Sequence, residues 1–233
     1  GVFLMLIVAA VVVGLIMGPL IESGLLRLMY GKDEIVMLLA TYALFLILED
    51  AIKLIWGVDA YYVSQPYSLL GNVSLGGLSY PVYSFLVVAI AIAIGVIVTW
   101  VLNRTRRGKL LKAVIHDREV SQTLGINVAR YYLVTFTVGA ILAAIGGAFT
   151  APQISVSLGI GVEVIVLAFA VVVIGGLGSL PGAALGALIV GLARSLAVHY
   201  WPAVELFSVY LVMALVLLFR PQGLFSAPEL RKI

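Results

Sequence analysis

The sequence predicts an all-α integral membrane protein, a bundle of about seven transmembrane helices with one helix-bearing loop on the cytoplasmic side. Three observations carry that expectation. Hydrophobic residues make up 63% of the 233 positions and charged residues only 11%, against roughly 45–50% and 25% in an average soluble domain. The apolar residues fall into runs of membrane length, so the solvent for most of this surface is lipid. The basic residues concentrate in one polar passage, 103–130, which holds Arg104, Arg106, Arg107, Lys109, Lys112, Arg118 and Arg130 of the chain's 14 Lys and Arg.

A helix needs about 20 mostly apolar residues to cross the hydrocarbon. The candidates are Val2–Ile21, Ile35–Trp56, Tyr80–Leu102, Tyr131–Ala151, Val162–Gly178, Gly182–Tyr200 and Ala203–Phe219. Barrel strands are excluded, because the runs lack alternation and are about twice too long for tilted strands. Orientation follows from the joints, since Lys and Arg resist translocation. Arg27 and Lys32 lie between the first two spans, and Arg220, Arg231 and Lys232 lie in the tail, whereas 57–79 and 152–161 carry neither residue type. Placing 103–130 in the cytosol puts every basic joint on that side. The chain starts at Gly1, inside an apolar run with no basic region before it. That reads as a single transmembrane domain over 1–233 with further spans expected ahead of it, not as a signal peptide.

Small residues crowd two places. Gly139, Ala140, Ala143, Ala144, Gly146 and Gly147 share one span, and Gly175, Gly176, Gly178, Gly182, Gly186 and Ala187 recur around a joint. Small residues let helix backbones approach closely in lipid, so these positions serve either ordinary packing or a glycine-lined conduit. The string from Gly175 to Gly182 is not a phosphate loop, because it lacks the Lys such a loop needs. Pro181 and the glycines mark a tight turn between helices on the inner side.

Ionisable residues at membrane depth are costly and therefore candidates for function. Glu49 and Asp50 sit late in the second span with Lys53 a turn away. They read either as a structural pair in the favourable acid-before-base order or as charges on a substrate path. Arg194 and Glu163 read as lone charges, and no chain of carboxylates and histidines forms a proton relay. With no cysteine, and with His116 and His199 far apart, thiol chemistry and a metal site are not expected. No catalytic arrangement emerges, so the chain is not expected to be an enzyme. The net charge of +3 is explained by topology and implies membrane lipid, not nucleic acid, as a partner.

Within the polar passage, Leu110, Leu111, Val114, Ile115, Val120 and Leu124 approximate a helical stripe, and Gly125 follows as a stop signal. Such a helix either rests on headgroups or fits a groove on a partner.

The passage resembles the coupling segment of permease subunits from branched-chain amino acid ABC transporters. Their pattern of Gly, three residues, Arg-Ala, three, Asn or Asp, three, Ala, three, Gly-Ile is met here by Gly108, Lys112-Ala113, Asp117, Ser121 and Gly125-Ile126, with Lys109 inside it. Lys112 for Arg and Ser121 for Ala are mild departures. The string Gly175-Gly176-Leu177-Gly178-Ser179, with Pro181-Gly182-Ala183 and Gly186-Ala187, is similar to the family's second signature. The ending Arg220-Pro221-Gln222-Gly223-Leu224-Phe225 resembles its usual tail, and Glu49-Asp50 with Trp56-Gly57 looks like the branch of the first permease subunit. The resemblance implies a multi-pass permease of the cell (inner) membrane. It would pair with a second permease subunit, the same or homologous, dock on two cytoplasmic ATP-binding subunits, and receive solute from an extracytoplasmic substrate-binding protein. It implies no cofactor in this chain, ATP being bound by the partner subunits. An importer of urea, short amides or another small polar solute would share fold and coupling; a passive channel or ion-coupled carrier is the competing class.

Overall fold

The structure, a computed structural model, describes residues 1–63, 65–75, 78–176 and 178–225. Arg231 and Lys232 of the basic tail, and Leu177 of the glycine string, lie outside the described residues. Helices dominate: α1 (Val2–Ile21) runs through a π-helical turn, Glu22–Leu26, into α2 (Arg27–Met29). Then follow α3 (Glu34–Trp56), α4 (Val82–Arg104), α5 (Arg106–His116), α6 (Arg118–Thr123), α7 (Val128–Thr150), α8 (Ile160–Gly175), α9 (Leu180–Tyr200) and α10 (Glu205–Phe219). Between α3 and α4 a short antiparallel hairpin pairs β1 (Asn72–Leu75) with β2 (Leu78–Pro81).

Among the described residues, six helices are long and apolar enough to cross a membrane. The fifth expected span, Val162–Gly178, is the one left out: its helix, α8, has only 16 residues. Gly176 and Gly178 adopt φ of +97° and +80°, which ends the helix before the expected boundary at Gly178. The span expected from Tyr80 begins instead at Val82, because Tyr80 and Pro81 belong to β2 and Pro81 caps the helix.

The chain divides into two compact units, Gly1–Leu158 and Gly159–Ile233. In the first, α1 packs along α7. The contact is made by Gly14 and Gly18: a Cβ on Gly14 would lie 2.5 Å from the Ile141 Cα, and one on Gly18 would lie 2.7 Å from that of Thr137. Lipid supplies no hydrophobic drive between helices, so such close approach is what lets dispersion hold them. The Gly-x-x-x-Gly spacing is written in the sequence. By contrast, a Cβ added at Gly139, Gly146 or Gly147 of α7 would meet nothing within 4 Å, so of the crowded small residues, read as either packing or a conduit lining, these three leave their face open within this chain. At the other end of α7, the fully buried Tyr83 of α4 donates its hydroxyl to the Phe149 carbonyl at 2.9 Å. That bond satisfies one of the carbonyls a helix end leaves unpaired.

In the second unit α8, α9 and α10 pack around Ala170, Ile174, Val190 and Val209. Gly175 lies opposite Gly182, and Val171 opposite Gly186, so close that a Cβ on either α9 glycine would overlap α8 carbonyl oxygens. Ser179 caps α9 by accepting from the Gly182 N–H at 3.1 Å. The Arg-Pro-Gln-Gly-Leu-Phe ending folds back over this crossing. Leu224 and Phe225 N–H groups donate to the Ile174 and Gly175 carbonyls at 2.9 and 3.0 Å, pairing the exposed end of α8.

Gly14→Leu or Gly18→Leu is expected to destabilise the first unit by about 1–3 kcal/mol through overpacking, whereas Gly139→Ala changes little. Thermal unfolding of the detergent-purified variants checks the contrast.

Candidate functional site

The polar passage forms two short helices where the sequence reading has one stripe. Asp117 breaks it: its backbone is extended, it closes α5, and its side chain accepts from the Val120 N–H at 2.9 Å to start α6. A carboxylate at an N-cap competes with helix continuation by capturing that donor. Gly125, at φ +79°, ends α6, and the Ile126 N–H returns to the Ser121 carbonyl at 3.0 Å. Asn127 then caps α7 by accepting from the Arg130 N–H at 3.1 Å.

This helix pair is fastened to the membrane helices on both sides. Gly108 lies against the end of α4, where a Cβ would overlap the Val101 and Leu102 backbone, so only glycine fits. Thr105 bends the chain and accepts from the Gly108 N–H at 3.0 Å. Lys112 Nζ, the departure from Arg, donates to Asn103 Oδ1 at 2.5 Å and ties α5 to the end of α4. Both α5 and α6 contact α7. Val114, Ser121 and Val128 are buried at 0%, 3% and 3% exposure. The small side chain at 121 therefore occupies a closed position, which accounts for Ser standing where the resembling family has Ala.

The outward side of the pair sets large apolar residues among charged ones. Of the predicted stripe only Val114 is buried; Ile115, Val120 and Leu124 are 67%, 52% and 73% exposed. Lys109, Ala113 and Asp117 are exposed beside them. Burying a large aliphatic side chain is worth about 1.5–3 kcal/mol, and three such side chains stand exposed on this loop.

The remaining candidates separate. Gly175, Gly176, Gly178, Ser179, Gly182 and Gly186 form the α8–α9 turn and crossing, a packing arrangement. Lys53 Nζ lies 3.0 Å from Asp50 and 3.7 Å from Glu49, so both acids share one base on α3.

Arg194 and Glu163, read from sequence as lone charges, are partners. Arg194 Nη2 donates to Glu163 Oε1 at 2.5 Å while its Nε donates to the Glu205 carboxylate. The guanidinium of α9 thus bridges the first turns of α8 and α10, which supply Glu163 and Glu205. A guanidinium can serve two carboxylates at once, and it stays charged. Sequence reasoning missed Glu205 and the triad because the members lie 31 and 11 residues apart. Their signal was depth: Glu163 and Glu205 lie in the first turns of α8 and α10, and Arg194 within about two turns of the C-terminal end of the antiparallel α9.

Comparison with known proteins settles what scaffold carries these features. The family described as branched-chain amino acid transport system / permease component matches residues 1–219. The chain belongs to that family. It is 30% identical over 234 residues to the high-affinity branched-chain amino acid transport system permease protein BraD of Pseudomonas aeruginosa, covering 97% of this chain and 75% of the relative. The corresponding protein LivH of Escherichia coli is 36% identical over 132 residues, 55% of this chain and 42% of the relative. A probable branched-chain amino acid transport permease protein LivH of Methanocaldococcus jannaschii is 27% identical over 200 residues, covering 81% of this chain and 61% of the relative. No solved structure matches the chain. Family and apolar helices together make it a multi-pass permease of the cell inner membrane, and the family is one of transport subunits, not enzymes.

Removing the bridge in Arg194→Ala leaves two carboxylates facing each other. The members are 35%, 40% and 30% exposed in their side chains, so the expected loss is about 1–3 kcal/mol, between that of a surface pair and a buried one. A double-mutant cycle with Glu163→Gln and Glu205→Gln, read by thermal unfolding, should return a positive coupling energy for each arm.

Proposed function

We propose that this permease is the membrane subunit of an ATP-driven importer that moves branched-chain amino acids into the cell. The observation that carries the reading is the α5–α6 pair: apolar on its free side at Ile115, Val120 and Leu124, and fixed on the other to α4 and α7. A surface that can be gripped but cannot move without its helices is suited to pass on a partner's motion. The partner is proposed to be a pair of cytoplasmic ATP-binding subunits, each gripping one copy of this loop across two permease subunits. An extracytoplasmic binding protein would deliver the solute. The chain itself is proposed to bind no cofactor, ATP being held by the partners, and to catalyse no reaction.

The substrate class rests on the relatives, which are named for branched-chain amino acid transport. In this reading Gly108, Lys112 and Asp117 hold the loop's shape, Ser121, Gly125 and Ile126 close it, and Lys109 and Ala113 lie at the docking surface. Glu49 and Asp50 are proposed as charges near the outer mouth of the path, their repulsion relieved by Lys53.

Substituting Ala113→Trp or Leu124→Asp should lower ATP-coupled amino acid uptake in proteoliposomes at least tenfold while leaving the permease folded, because both positions are exposed. Unchanged uptake by both variants would remove the loop from the coupling path.

A further inference from the structure

Between the π-helical turn after α1 and the first turn of α7 lies a polar cleft of about 200 Å³. Glu22 and Ser23 of the π-helical turn and Arg27 of α2 line it from one side, and Asn127, Arg130 and Leu133 at the start of α7 from the other. Glu22 is buried, at 2% exposure, and accepts a hydrogen bond from the Tyr30 hydroxyl at 3.0 Å. Among the described residues neither Arg27 nor Arg130 has a carboxylate within 4.0 Å, the ion pairs there being those of Lys53 and Arg194. Two guanidinium groups on different elements therefore share one cavity with no paired carboxylate among the described residues.

The depth of the cleft decides what could fill it. The apolar length of α1 ends at Ile21, a turn and a half before Arg27, and that of α7 starts at Tyr131, directly after Arg130. By the positive-inside rule both arginines stand near the cytoplasmic ends of their spans, Val2–Met29 and Val128–Thr150, close to the level of lipid headgroups. Leu133 lines the membrane-ward side of the cleft, and Leu20 and Leu28, on the same helical stretch as Arg27, are 60% and 66% exposed.

We propose that this cleft holds the phosphate of an anionic phospholipid from the cytoplasmic leaflet. Arginine forks match phosphate oxygens, and the start of the 23-residue helix α7 adds its positive dipole end. Basic pockets between membrane helices on the cytoplasmic side are a recurrent setting for anionic headgroups. The apolar rim favours a lipid over free phosphate, since acyl chains can lie along Leu133 and Leu28. The bound lipid would brace the α1–α7 pair at its inner end, whichever solute the permease carries.

Native mass spectrometry of the purified full chain, titrated with phosphatidylglycerol, phosphatidylcholine or inorganic phosphate, tests this. The expected result is one tight phosphatidylglycerol per chain, weaker phosphatidylcholine, and no displacement by millimolar phosphate. R27Q/R130Q should weaken phosphatidylglycerol by about thirtyfold, taking each arginine at the usual headgroup contribution. R27K/R130K should keep most of the affinity, and Lys32→Gln, which removes a nearby charge outside the cleft, should keep all of it. Equal phosphatidylglycerol affinity in R27Q/R130Q, equal binding of the two lipids, or displacement by inorganic phosphate would each overturn the proposal. So would a loss of ATP-binding subunits from R27Q/R130Q with lipid affinity intact, which would make the cleft a protein-docking site. If R27Q/R130Q does not fold, the wild-type lipid and phosphate arms still decide.

Discussion

Backbone-to-backbone contact at glycine is the constraint from which the packing of both units follows. Gly14 and Gly18 bring α1 against α7, and Gly175, Gly182 and Gly186 bring α8 against α9. In water, large apolar side chains would supply the association energy; in lipid they are already solvated by hydrocarbon. What remains is dispersion, which grows with the number of atoms at contact distance, and glycine maximises it by removing the side chain between two helices. That is why the exposed Leu, Ile and Val side chains are spread over most helices while the buried positions are few and mostly small or β-branched, Leu26, Tyr83 and Phe149 being the larger ones. The same crossing explains the tail. The Gly223 backbone lies so close to Gly176 that a Cβ would overlap it, and this approach lets Leu224 and Phe225 pair the carbonyls that α8 leaves open.

Polar groups are treated with corresponding strictness. Tyr83 closes a carbonyl at the end of α7, Thr105, Asp117, Asn127 and Ser179 each cap the helix that follows, and Arg194 gathers the two acids at the ends of its neighbours. Each device answers the high cost of an unpaired polar group near hydrocarbon. The α5–α6 pair combines both rules. Its inner side is capped, buried and bound to α4 and α7, while its outer side keeps apolar residues that lipid does not need and water does not favour. In the proposed function, this fastened base with exposed apolar side chains is where an attached partner would act on the helices.

Much of this was legible along the chain. Run length and joint charge marked the membrane class and six of the helices, and residue spacing in 103–130 marked the loop that stands out in the structure. The positions of the turns were legible where glycine or proline made them, as at Gly125 and between Gly175 and Gly182. Other readings failed for local reasons. Asp117 looked like one more polar residue in a helix, yet its side chain captures the Val120 N–H and divides the stripe. The glycines of α7 suited either packing or a conduit, and the contact with α1 uses Ile141 and Thr137 on another side of that helix.

The sequence alone determined which segments favour lipid, because transfer of each side chain from water depends on its own chemistry and only weakly on its neighbours. It also determined where helices start and stop wherever a cap or a left-handed glycine acts within a few residues. Tertiary structure decided which charges meet and which glycines touch. Glu163, Arg194 and Glu205 become one group, and Gly14 meets Ile141, only once the helices take a fixed register, which is set by the summed contacts of whole helix faces.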